Sequence, residues 1–130
     1  MDLGLKGRRA IVTAASRGLG LATARSLARE GVHLTMNARS PDALEAAAQA
    51  IRDEFGVEAV PVAADFNTRE GRQAILAAGG EAVDILVNNP GVRQVPSPYD
   101  QIGPDDWREW LEVHFLSSVE MIQAVAPGMA

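Results

Sequence analysis

The chain has 130 residues, no cysteine, and 12 basic against 17 acidic side chains, for a formal net charge of −5. That length suits one domain with its own core, and the acidic balance gives no general attraction to nucleic acid or anionic lipid. The missing cysteines exclude disulfides, thiolate catalysis and Cys-type zinc sites within the chain.

No run approaches the roughly 18 apolar residues of a membrane span, and residues 1–9 have no apolar secretory run behind them. A cytoplasmic protein with no membrane, nucleic-acid or metal partner is expected. Alanine is abundant and aromatics make up only 5% of the chain, so the core must rest on Val, Ile and Leu against small partners.

The elements follow in order. Residues 8–13 form a short apolar run with β-branched members and glycines close behind, a buried strand. Residues 18–30 place Leu21, Ala24, Leu27 and Ala28 on one helical face, with Gly31 as the stop. Residues 32–37 read as the second strand. Ser40 and Pro41 supply an N-cap and first-turn proline to a helix whose stripe is Leu44, Ala47, Ala48, Ile51 and Phe55, up to Gly56. Residues 57–63 are the third strand, placed at an edge by Pro61. Asn67 and Glu70 have capping-box spacing before a third helix that ends at Gly79 and Gly80. Residues 83–88 are the fourth strand.

Residues 90–104 carry Pro90, Pro96, Pro98 and Pro104 and form a long loop, a length usually tied to function. Pro104, Asp105 and Asp106 then open the last helix with an acidic first turn. Its expected stripe is Trp107, Trp110, Leu111, His114, Ser118, Met121, Ile122 and Val125. Four strand–helix alternations predict an α/β, doubly wound parallel sheet in three layers, with strand order 3-2-1-4. Its ligand crevice would lie at the carboxyl ends of the strands, where the order reverses.

The first strand runs through Thr13, Ala14, Ala15, Ser16, Arg17, Gly18, Leu19 and Gly20 straight into a helix. Such a turn gathers free N–H groups and the positive end of a helix dipole, which suits a pyrophosphate. A glycine turn can also serve only to close a strand–helix corner. This segment resembles the Thr-Gly-x-x-x-Gly-x-Gly turn of the short-chain dehydrogenase/reductase family. Asn88-Asn89-Pro90-Gly91 resembles that family's Asn-Asn-Ala-Gly, and Asp65 and the Trp107–His114 spacing match its layout. The likeness runs from about Leu5 to the chain end, as the N-terminal, cofactor-binding part of a 3-oxoacyl reductase-like member.

That resemblance implies a Rossmann-type fold over residues 1–130, apparently truncated after the fourth strand–helix unit, and a nicotinamide cofactor. Ser16, Arg17, Gly18 and Leu19 would surround its phosphates and ribose, with Thr13 and Gly20 in the same turn. Asp65 and Phe66 would lie near the adenine, and Asn89, Pro90 and Gly91 near the adjoining ribose. Two positions depart from the pattern. Ala14 stands for the first glycine, which a residue of negative φ tolerates, so a slightly displaced cofactor is expected. Pro90 stands for alanine and removes an N–H donor.

The end of the second strand, Met36-Asn37-Ala38-Arg39-Ser40, has no carboxylate for a ribose 2′-OH and has Arg39 nearby. With Arg17 on the adjoining turn, two guanidinium groups could clamp a 2′-phosphate, so NADP(H) is expected over NAD(H). Ordinary solvated arginines are the plainer alternative.

Hydride transfer to a carbonyl also needs a proton donor, which the family takes from a Tyr-x-x-x-Lys pair and a serine further along. The chain's one tyrosine, Tyr99, and one lysine, Lys6, are in the wrong order for that pair. Tyr99 reads as a substrate-side or packing residue. His114 occupies the place of a family asparagine implied to hold a relay water, and histidine can do the same or shuttle a proton. The competing reading is a buried histidine between Leu111 and Ser118 on the packed stripe.

The resulting expectation is an NADP(H)-dependent short-chain oxidoreductase interconverting a small-molecule carbonyl and a secondary alcohol, with its Ser/Tyr/Lys half absent from this chain. The alternative is a non-catalytic nicotinamide-nucleotide-binding or assembly module. A homo-oligomer is expected, because the fourth strand's apolar edge lacks a neighbour and the family commonly associates through the last helix.

Overall fold

The computed structural model describes residues 1–90 and 98–130. Four parallel strands form one sheet: β1 (Arg9–Val12), β2 (His33–Ala38), β3 (Ala59–Ala63) and β4 (Ile85–Val87), in the order β3-β2-β1-β4. This is the expected 3-2-1-4 order, with the reversal between β1 and β4. Val12 sits in register with Met36 on one side and Val87 on the other. The Pro61 strand is at an edge, where its missing N–H disrupts no second ladder. The third and fourth strands are shorter than the apolar runs that mark them.

The helices lie on both faces. Successive residues of a strand point to opposite faces, and β1 divides accordingly. Ala10 and Val12 pack with Ala24 and Ala28 of α1 (Gly18–Arg29) and Leu44, Ala48 and Ile51 of α2 (Pro41–Phe55). Ile11 packs on the other side with Ile75 of α3 (Arg69–Gly79) and with Met121 and Val125 of the last helix. The apolar stripes of the first two helices are therefore those read from their spacing, with Leu21, Leu27, Ala47 and Phe55 at their margins.

Two caps differ from expectation. Ser40 precedes α2 but its side chain makes no capping bond; the first-turn Pro41 lacks an N–H and the αL Gly56 closes the helix. At α3 the cap is Thr68, one residue after Asn67, with its Oγ1 accepting from Gly71 N–H at 3.0 Å. Asp65 has already turned the chain by accepting from the Asn67 N–H, which leaves Asn67 inside the turn.

The last helix carries the main correction. It is α4 (Pro104–Leu111), a π-helical turn (Glu112–Leu116) and α5 (Ser117–Met129), without a break. The buried stripe is Val113, Ser117, Met121 and Val125. Leu111, His114 and Ile122, expected on that stripe, are exposed, and so is Trp107, edge-on to Trp110 at 5.4 Å. A π turn absorbs one extra residue, so a constant 3.6-residue period loses phase across it. Tyr99 is in a 3₁₀ turn (Tyr99–Gln101) and 83% exposed, so it is not a packing residue. No described helix is long and apolar enough to cross a membrane.

Candidate cofactor cleft

A cleft of about 940 Å³ opens at the carboxyl ends of the strands, over the reversal point between β1 and β4. Its floor is the turn from β1 into α1. The first-turn backbone of that helix faces the cleft beside Ser16, Arg17, Gly18 and Leu19. Gly18 has φ +57°, a backbone that glycine adopts at little cost. Gly20 is buried, and a β-carbon there would overlap the Ala14 carbonyl oxygen and come within 2.9 Å of Asn89 Nδ2. The absence of a side chain is what lets the helix start lie directly on the strand ends.

Ala14 does not have the negative φ expected of it. Its φ is +49°, and it is the one non-glycine residue with positive φ among the described residues. The turn keeps the left-handed backbone for which glycine is suited, and alanine accepts it with strain of about 1–2 kcal/mol. The Ala15 N–H bonds to the Asn37 carbonyl at 2.8 Å and the Thr13 N–H to the Val87 carbonyl at 3.2 Å, and these two ties fix the turn on both sides of the strain.

Of the residues expected to bind the cofactor, Ser16, Arg17, Gly18, Leu19, Arg39, Asp65, Phe66, Asn89 and Pro90 line the cleft. Thr13 and Gly20 stand behind it. The Thr13 side chain is fully buried; its Oγ1 donates to the Val87 carbonyl at 3.3 Å and accepts from Asn89 N–H at 2.9 Å. Thr13 thus sets where Asn89 sits. Phe66 is only 7% exposed, with its ring in the core on the α3 side, so it offers mainly backbone to the cleft. Gly91 lies outside the described residues.

His114 is exposed and lines the same cleft with Glu109, Trp110 and Val113, so the buried-histidine reading is set aside. The sequence also failed to mark Asn37. Its amide is buried at the tip of β2 and donates to the carbonyls of Val62 (3.0 Å) and Ala64 (2.9 Å). It holds the ends of β2 and β3 together below the opening, and an asparagine ending a buried strand was the available signal.

Arg17 and Arg39 are both exposed, and neither has an ion pair or side-chain hydrogen bond among the described residues. Arg8 is engaged with Asp84, Arg9 with Glu58 and Arg52 with Glu45, whereas the exposed Arg29 and Arg69 also have no ion pair among the described residues but do not line the cleft. Two unengaged guanidinium groups therefore flank an opening with a helix N-terminus at its floor. This donor set fits a polyanionic nucleotide. One buried acceptor, Asn88 Oδ1, also has no partner among the described residues, beside the motif's Asn89.

A model of the short chain dehydrogenase family matches residues 8–130. The chain is 37% identical over 131 residues to the uncharacterized oxidoreductase YvaG of Bacillus subtilis (strain 168), covering 99% of this chain and 48% of that protein. It is 33% identical over 129 residues to gluconate 5-dehydrogenase of Gluconobacter oxydans (strain 621H), covering 96% and 49%. Among solved structures, L-sorbose reductase from Gluconobacter frateurii, complexed with NADPH and L-sorbose, superposes with a TM-score of 0.91 at 35% identity, covering 99% of this chain and 50% of that one. The chain spans about half the length of these relatives. On a match of this extent, in sequence and in fold, the chain belongs to the short-chain dehydrogenase family.

Proposed function

We propose that the chain forms the dinucleotide-binding part of an NADP(H)-dependent oxidoreductase that interconverts a carbonyl and a secondary alcohol. The observation that carries the cofactor choice is the pair Arg17 and Arg39 on the cleft, with no carboxylate at the end of β2. The NADPH bound by L-sorbose reductase and the NADP bound by a metagenomic short-chain oxidoreductase, 34% identical to this chain, support the same choice.

In this reading Ser16 and the N–H groups at the start of α1 receive the phosphates, and the two arginines receive the 2′-phosphate. Asp65 and the Phe66 backbone border the adenine, and Asn89, Pro90 and Gly91 the adjoining ribose. The bound cofactor supplies or accepts the hydride. His114 is assigned to holding a water, or passing a proton, at the cleft wall. Titration in solution is the test. NADPH should bind at least about tenfold more tightly than NADH, and Arg39→Ala should cost about 1–3 kcal/mol toward NADPH, as for a charged hydrogen bond lost. Equal affinities that Arg39→Ala leaves unchanged would reject the assignment.

Nucleotide binding without turnover is the second reading. Assay of the full-length protein against ketones and secondary alcohols separates the two. In an active protein, His114→Asn should keep most of the turnover and His114→Ala should lose it.

A further inference from the structure

The least exposed charge in the described chain has no part in the reading above. Arg72 of α3 is 3% exposed, and its guanidinium reaches three separate segments. Nε donates to Glu120 at 3.0 Å, Nη1 to the Phe66 carbonyl at 3.0 Å, and Nη2 to Glu112 at 2.9 Å. Phe66 belongs to one part of the cleft's lining, and Glu112 opens the π turn that carries Val113 and His114 of another part.

Glu112, the first residue of that turn, and Glu120, in the helix after it, are eight apart, and the spacing explains why the turn and the arginine occur together. In a regular α-helix, residues eight apart are rotated by about 80° beyond two full turns. A π turn absorbs one residue, so the same pair behaves as if about seven apart and returns to within about 20° of one line. With the π turn present the two carboxylates lie close to one line, and both bond Arg72. Conversely, a guanidinium held by both carboxylates opposes relaxation to a regular helix. Such a relaxation would rotate α4 by about 100° relative to α5 and carry Glu109 and Trp110 off the cleft.

We propose that Arg72 is a positioning residue. Through Glu112 and Glu120 it holds the π turn, and through the Phe66 carbonyl it fixes that helix against the β3–α3 turn, so one buried group sets the distance between these two parts of the lining. A buried ion pair is seldom worth more than an apolar replacement of equal volume, so its value here is geometric. The consequence for nucleotide affinity rests on the cofactor reading above.

The test uses the full-length protein with Glu112→Gln and Arg72→Lys. Glu112 is partly exposed and does not line the cleft, so its loss leaves the fold standing. A lysine keeps the charge of Arg72 but cannot offer three planar donors. Hydrogen exchange without nucleotide should show faster exchange in both variants confined to residues 66–68 and 109–117, with α1, α2 and β1 unchanged. NADPH affinity, measured by titration, should fall roughly tenfold, the equivalent of one charged hydrogen bond. Exchange raised evenly over the chain would make Arg72 a stability element only, and wild-type exchange in residues 109–117 of both variants would also overturn the proposal. If the unmodified protein binds no NADPH, the cofactor reading fails, and the exchange pattern still decides on the clamp.

Discussion

Ala14 and Gly20 show how much one methyl group matters at this turn. Ala14 holds φ +49°, so Ala14→Gly removes strain of about 1–2 kcal/mol and returns part of it as chain entropy. A net gain of about 0.5–1 kcal/mol is expected, read as a shifted midpoint in urea with unchanged slope. The opposite change, Gly20→Ala, sets a β-carbon against the Ala14 carbonyl. It should cost about 1–3 kcal/mol by overpacking and weaken NADPH binding, because α1 must lift from the strand ends. Unchanged stability and affinity in Gly20→Ala would contradict the role given to this close approach. Both positions were legible as part of a motif. The sign of the Ala14 φ was not, since it depends on the Ala15–Asn37 bond that only the folded sheet creates.

At the scale of elements, strand and helix order were legible because each apolar run or stripe has one period and a glycine or proline near its end. Caps were less so. The Asn67–Glu70 spacing pointed one residue early, and the bond belongs to Thr68. Thr68→Ala should therefore cost about 1 kcal/mol, as a lost N-cap does, while Asn67→Ala should cost less, both measured by chemical denaturation. The last helix defeated periodicity for a different reason: its phase is set by Arg72, which is 40 residues before Glu112 in sequence. No window along the helix contains that information. Of the cleft's walls, the strand-end segments were readable from their motif, and the helix wall was misread wherever phase decided it.

For the whole molecule, the two cores are unequal. The cluster on the α1–α2 side is the larger, and the α3–α5 side relies on few buried side chains. On that thinner side Leu111, Phe115, Leu116 and Ile122 are all about half exposed or more, at 55%, 59%, 49% and 50%. Among the described residues β4 pairs with β1 alone. An apolar face beside an unpaired strand edge is a surface for association. A polypeptide of residues 1–130 alone should sediment at micromolar concentration as a dimer or larger species, and a stable 13.8 kDa monomer would reject this. The same polypeptide should reduce no ketone, because its single tyrosine and single lysine cannot form a Tyr-x-x-x-Lys pair.

The position of Arg17 and Arg39 bears on how cofactor preference can change during evolution or by engineering. Both project from the strand ends and engage no other described side chain, while the ion pairs of Arg8 and Arg9 involve residues at the amino ends of the strands. Replacing the exposed pair leaves the packed interior untouched, and distant, uncoupled substitutions add in their effects on stability. Selectivity between the phosphorylated and unphosphorylated nucleotide is thus a trait that can drift, or be recoded, without compensating changes in the core. A lineage carrying this fold can exchange one cellular pool of reducing equivalents for the other in a few exposed steps.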